Sequence, residues 1–213
     1  MNVLRILYFL PLIYVGYQSV YKLYTFYRTY CTDHTYPHFK SDDDIVKQIK
    51  QQLKLDPHPS GAGAFRQLWK GDRDVVFTSK TSHSSARSIG TSIYLLRVAP
   101  NCGQWHKHLS DQGFFWHAGG ALNIHMLHED GRYSYDVLCD VTTNENCSGH
   151  VIIPHDTWYF AVLSPDASYN LCSEVVMPGF EFEDWSVGSE GDLVEIYPQY
   201  NDIIKNITNY NKC

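Results

Sequence analysis

Between residues 65 and 176 the chain reads as a succession of short extended segments separated by Gly, Pro, Asn or Ser, and this punctuation constrains the fold more than any other feature. Segments 65–69, 75–79, 92–98, 105–108 and 114–118 alternate apolar and polar residues and are rich in aromatics. The next pair is clearer. Segments 121–127 and 132–138 bracket Glu129-Asp130-Gly131, and Asp-Gly between alternating strands signals a β-hairpin, since a tight turn needs positive backbone dihedrals there. Segments 150–154, 158–163 and 169–176 continue the series, and 181–186 reads as a closing helical turn. Many short strands at even spacing, with helices only at the ends, predict an all-β sandwich or barrel.

The 213 residues, 44% of them hydrophobic, suffice for one domain with a real core plus a leader. Sixteen Tyr and five Trp suit half-buried β surfaces. A net charge of -6, with 17 scattered Lys and Arg, offers no basic stripe for a phosphate backbone, so nucleic acid is excluded as a partner class. The expected organisation is a leader at 1–30, the β domain at 41–200 and a C-terminal tail at 201–213. Ser41-Asp42-Asp43-Asp44 opens a helix with acidic residues in its first turn, and Ile45, Val46, Ile49 and Leu53 form its apolar stripe. Asp56-Pro57-His58-Pro59 stops it, because proline cannot continue a helix.

Arg5 precedes an uncharged run, 6–21, closed by Lys22, as in an export leader. The run is shorter than the roughly 18–20 apolar residues of a spanning helix. Two readings stand: a cleaved signal peptide, giving a secreted or lumenal protein, or a retained signal anchor holding it to a membrane. No small-x-small cleavage site is evident, since Tyr14 and Tyr17 occupy the relevant places. Asn146-Cys147-Ser148 and Asn206-Ile207-Thr208 fit the glycosylation acceptor pattern at Asn146 and Asn206, and the six cysteines are even in number. Together these point to an oxidising compartment. Cys139 and Cys147 flank a polar stretch and could close a loop between strands; Cys31 and Cys213 could tie the ends.

Several blocks in a fixed order resemble the fifth cupin family, a domain of unknown function. They are Leu53-Lys54-Leu55-Asp56-Pro57-His58-Pro59 with Phe65-Arg66, then Thr91-Ser92-Ile93-Tyr94, Trp105-His106, Ala118-Gly119, Pro154 with Trp158, and Pro178-Gly179-Phe180-Glu181-Phe182-Glu183-Asp184-Trp185. The resemblance runs from about Val46 to Tyr200. It implies a double-stranded β-helix of the jelly-roll kind with short terminal helices, in a homodimer, related in fold to sugar-nucleotide epimerases and metal-dependent dioxygenases. Fold alone does not transfer function.

The wider superfamily binds metal through Gly, five residues, His-x-His, three or four residues, Glu, six residues, Gly. Here Pro100 stands in the first Gly place, His106 and His108 fit, Gln112 replaces Glu, and Gly119 fits. The second motif, Pro-x-Gly-x-x-His, becomes Pro154-His155-Asp156-Thr157-Trp158-Tyr159. Histidines two apart on a strand share a face, so His106 and His108 can meet one ion of Fe, Zn, Mn or Cu, with Gln112 as a neutral third donor. A typical member of the closer family also carries Glu, Trp and His where this chain has Gln112, Phe114 and Phe115, which removes a carboxylate and a histidine from acid–base work.

The candidate site is accordingly His106 as a catalytic base, His106, His108 and Gln112 as metal donors, and Arg66, Trp105, His106, Gln112, Trp116 and Trp158 as ligand contacts. Each has a structural alternative. The two histidines could be satisfied core residues, the tryptophans could be core packing, and Arg66 could form an ion pair with Glu183. His155 and Asp156 belong in a tight turn, and His58, between two prolines, reads as part of a rigid turn. No nucleophile elbow, phosphate-binding Gly-rich loop, His-Glu-x-x-His or Cys-x-x-Cys is present. The leading expectation is a barrel that binds a small polar, sugar-like molecule. An enzyme, either cofactor-free epimerase or metal-dependent oxygenase, and a purely structural extracellular protein are the alternatives.

Overall fold

The computed structural model describes residues 40–76, 83, 85–100 and 103–210. The expected leader, and the pairing of Cys31 with Cys213, lie outside the described residues. Among those residues no helix is long and apolar enough to cross a membrane.

Helix α1 (Asp42–Leu53) carries Asp42, Asp43 and Asp44 in its first turn and Lys50 in its last, complementing the helix dipole. Lys54, in the left-handed region at φ 52°, ends it. Thirteen strands follow among the described residues: β1 (Asp56–Pro57), β2 (Ala64–Lys70), β3 (Asp74–Val75), β4 (Arg87–Ser88), β5 (Thr91–Val98), β6 (His106–His108), β7 (Asp111–Gly119), β8 (Leu122–Leu127), β9 (Tyr133–Leu138), β10 (His150–Ile153), β11 (Trp158–Leu163), β12 (Tyr169–Met177) and β13 (Trp185–Val187). Helices α2 (Glu190–Ile196) and α3 (Asn201–Tyr210) close the chain.

Two antiparallel sheets form the sandwich. One has the order β1-β2-β5-β12-β7-β10, the other β13-β6-β11-β8-β9, and β3-β4 make a small ribbon. The order crosses over repeatedly, as a jelly roll requires, while β8-β9 is the simple hairpin that Asp-Gly signals, with Gly131 at φ 83°. Gly119 of the sequence motif sits at φ 89°, where an added Cβ would lie 2.4 Å from the Tyr169 carbonyl oxygen, so only glycine fits.

Strict alternation decides what each strand gives to the interior. Leu95 on β5, Phe114 on β7, Leu122, Ile124 and Met126 on β8, Tyr159, Ala161 and Leu163 on β11 and Cys172 on β12 fill the barrel. Their neighbours face outward, where helices cover them. Leu96 and Leu171 pack under Val46, Ile49 and Leu53 of α1. Trp105, Phe160 and Val162 pack under Leu193, Tyr197 and Ile204 of α2 and α3.

The region expected as a tail is therefore structural: residues 201–210 are helical and Ile204 is fully buried. The expected turn at 181–186 resolves into a 3₁₀ turn, Phe182–Asp184, followed by β13. Of the segment 75–79, the described part contributes only the end of β3. Cys139 and Cys147 form a disulfide that closes the β9-β10 connection, and Cys172 is a buried free thiol.

Candidate functional site

A cavity of about 380 Å³ opens at one end of the sandwich. Its walls are the inward residues of both sheets: Phe65 and Gln67 from β2, Ile93, Leu95 and Arg97 from β5, Glu174 and Val176 from β12, His106 and His108 from β6, Tyr159 and Ala161 from β11. The rim comes from two turns, residues 58–62 and 180–182, with Gly103, Gln104 and Trp185 beside them. A large apolar lining with a few convergent polar groups is the usual form of a small-molecule site.

The rim is fixed from outside. Arg87, fully buried, makes a two-pronged contact with Asp184, Nε to Oδ2 and Nη2 to Oδ1 at 2.7 Å each, and also holds Glu183. Asp184 is buried as well, which is tolerable only because the guanidinium satisfies it. The Phe180 and Gly179 amides donate to Thr91 Oγ1 and the Ser88 carbonyl. Lys70 pairs with Glu181 at 2.6 Å across the opening. On the other side Gly63, at φ 132°, lies where any Cβ would come 2.1 Å from the Leu96 carbonyl oxygen; this close approach brings the 58–62 turn over the cavity.

The hydrogen bonds fix what the imidazoles offer. His106 Nδ1 lies 2.8 Å from the Gln104 carbonyl, so Nδ1 carries the proton and Nε2 is an acceptor. His58 Nδ1 accepts from the Ser60 amide at 3.2 Å, so its Nε2 is a donor. The Ser60 hydroxyl donates to the same His58 Nδ1 at 2.7 Å, and neither Nε2 has a hydrogen-bond partner among the described residues. His108 Nδ1 is buried and without a partner. Burial lowers the pKa of His58 and His106 to about 4 and that of His108 to about 3, so all three are neutral at physiological pH.

Glu174 behaves in the opposite sense. It keeps some accessible area because the cavity reaches it, yet protein surrounds it, and burial raises its carboxyl to about 7, with the Arg97 charge opposing the rise. Its carboxyl accepts no hydrogen bond from any described residue. Arg97 is buried and donates to the Ala161 carbonyl at 3.4 Å.

The structure brings together only some of the residues expected from sequence. His106 and His108 line the cavity with ring centroids 5.7 Å apart, and Gln112 is buried behind Tyr159. Trp105 and Trp158 do not line it. They point to the opposite face of β6 and β11, where Trp105 Nε1 donates to Thr208 Oγ1 and Trp158 packs in the helix-covered core under Lys107. Arg66 lies on the outer face of β2, between the inward Phe65 and Gln67, and Glu183 pairs with Arg87 instead. Trp116 packs against the core beyond the cavity. His155 and Asp156 sit in the turn before β11, 3.0 Å apart, with Asp156 at φ 57° and its carboxylate 3.6 Å from Lys107. His58, Arg97 and Glu174 are site residues that the motifs do not flag.

The metal implied by the wider superfamily does not fit these donors. The position of the motif carboxylate is Gln112, whose Oε1 accepts from Tyr159 Oη at 3.0 Å, and Tyr159 is the residue in the place of the final histidine. The two substituted positions bond to each other through that oxygen, with Gln112 Nε2 buried and without a partner. The Tyr159 phenol is held well above its ordinary pKa by burial, so it is no anionic ligand. Among the described residues no group of three His, Cys, Asp or Glu could hold a metal ion.

A jelly-roll sandwich with a cavity at the mouth of its barrel, two imidazoles on β6 and a Pro-Gly-Phe turn over the opening defines a cupin. A family model described as Cupin superfamily (DUF985) matches residues 47–188, and the chain belongs to that family. Among solved structures it is similar to a hypothetical protein from Leishmania major, 24% identical, covering 75% of this chain and 96% of that one at a TM-score of 0.64. It is also similar to a protein from Shewanella oneidensis, 22% identical, covering 76% and 96% at a TM-score of 0.62. These likenesses concern the fold. No curated protein matches the chain.

Proposed function

We propose that this cupin is a secreted or lumenal binding protein whose cavity takes a small polar, sugar-like molecule. The observation that carries the reading is the set of polar groups left for a ligand in an apolar-walled cavity: His58 Nε2, His106 Nε2 and the Glu174 carboxyl. Enclosed polar atoms cost free energy when unpaired, and a ligand that pairs them recovers it. Hydroxyl groups suit the mixture because each both donates and accepts.

Export is supported by the leader-like start, by the Cys139–Cys147 disulfide and by Asn146 and Asn206, both exposed. A homodimer is supported by the family resemblance and by Trp69, Ile89 and Met177, large exposed apolar side chains grouped around Gly90. Sedimentation equilibrium reads that point directly.

The binding test is a thermal-shift screen of neutral monosaccharides and polyols against protein made through a secretory pathway, with His106→Ala alongside. A ligand at 100 times its Kd raises stability by about 2.7 kcal/mol, easily visible as a Tm shift. A shift lost in His106→Ala is the expected result. Absence of any shift across the screen would return the chain to a structural role.

A further inference from the structure

We propose that Glu174 is the principal ligand contact of the cavity, its carboxylate accepting hydrogen bonds from neighbouring hydroxyl groups of a neutral polyol or monosaccharide, so that occupancy is coupled to release of a proton. This deepens the reading above and rests on it. Glu174 is placed with little freedom: β12 is an inner strand, and its register sets Glu174 opposite Ile93 of β5 and Phe114 of β7. A carboxyl held among such neighbours, enclosed by protein and accepting no hydrogen bond from any described residue, is costly to keep. The orientation is that of a group waiting for a donor.

The surroundings select the donor's chemistry. Arg97, also lining the cavity, opposes a second cation, which disfavours an ammonium ligand. An ionised Glu174 opposes an anion. What remains is a neutral molecule with several hydroxyls: one to accept from His58 Nε2–H, one to donate to His106 Nε2, and an adjacent pair to donate to the two carboxylate oxygens. Phe65, Ile93 and Phe180 supply apolar surface for the carbon faces.

Glu174 is also the group whose charge changes within the cavity near neutrality. On its own strand Cys172 is pushed up to about 12. β5 brings the Arg97 guanidinium, β11 the Tyr159 phenol, kept neutral by burial, and β6 His106 and His108, neutral because burial holds them near 4 and 3. His58, on the rim, is held near 4 as well. Lys70 and Glu181 pair with each other at the mouth. A ligand that binds the ionised form lowers the Glu174 pKa from about 7 and expels the proton.

The experiment is isothermal titration of the full chain with D-glucose, D-galactose, D-mannose and myo-inositol at pH 5.5, 6.5 and 8.0, in buffers of different ionisation enthalpy. For a probe that binds, affinity is expected to rise about 30-fold from pH 5.5 to 8.0, with close to one proton released per ligand at the lowest pH. Glu174→Gln should abolish that rise and weaken binding at pH 8.0 by at least about tenfold, the scale of a lost charge-assisted hydrogen bond. Near-UV circular dichroism checks its fold. If the variant does not fold, proton release by the native protein decides: release supports the assignment and none overturns it. Binding that is independent of pH and unchanged in Glu174→Gln overturns the role of Glu174 while leaving the cavity reading intact. Failure of every probe at every pH overturns both.

Discussion

At the scale of residues, the hydrogen bond from Tyr159 to Gln112 determines how this cupin departs from metal-binding relatives of its superfamily. Gln112 Oε1 takes the Tyr159 hydroxyl as its donor, while Gln112 Nε2 stays buried without a partner. Tyr159→Phe is therefore expected to cost about 1–3 kcal/mol in urea unfolding, because the buried Gln112 oxygen loses its donor. The double change Gln112→Glu, Tyr159→His is expected to convert the site, with one divalent ion per chain by mass spectrometry and far less in the native protein. The histidines set the pH dependence. Folded His58, His106, His108 and His125 have pKa values lowered from 6.5 to about 4, 4, 3 and 4, so between those values and 6.5 the unfolded chain binds more protons and stability falls as pH falls. Glu174, raised to about 7, acts oppositely: the folded state binds the extra proton, and its contribution is lost as pH rises from 4.5 toward 7. Four groups outweigh one, so a Tm series should decline from pH 6.5 to 4. His106 and His108 were legible because their spacing is a motif. Glu174 was not, since between Ser173 and Val175 an inward carboxylate reads like any outward polar residue.

At the scale of elements, the turn between β12 and β13 depends on a pair far away in sequence. Arg87→Ala leaves the buried Asp184 carboxylate uncompensated and is expected to destabilise by about 3–5 kcal/mol, with weakened ligand binding because Phe180 and Glu181 ride on the same turn. Denaturant titration and the thermal-shift screen read the two effects. The sequence predicts short terminal helices without placing α2 and α3: three separated apolar residues, Leu193, Tyr197 and Ile204, give too short a periodicity, and Trp105, which packs beneath them, reads as a ligand contact or core residue. Trp105→Ala is expected to cost about 3–5 kcal/mol in the same assay without changing ligand contacts. The hairpin at Glu129-Asp130-Gly131, by contrast, is encoded in three adjacent residues and stands as the sequence predicts.

At the scale of the whole molecule, the disulfide closes the β9-β10 connection and the helices cover outward faces of the sheets. Replacing Cys139 and Cys147 by Ser is expected to lower stability by about 2–3 kcal/mol, the low end of the usual range because the closed loop is short. Native protein from secretory cells should lose mass on glycosidase treatment if Asn146 and Asn206 carry glycans; Asn146 lies in the disulfide loop and Asn206 on the open face of α3.

The sequence by itself determined the strand series, the hairpin, the family and the outlines of the metal-motif loss, because these are carried by period-two alternation and by residues adjacent in the chain. Only the tertiary structure decided which face of each strand meets the cavity. A sheet side chain is turned inward or outward by one step of register, and that step depends on pairings between distant segments. For that reason Trp105, Trp158 and Arg66 fall outside the site, while His58, Arg97 and Glu174 fall within it.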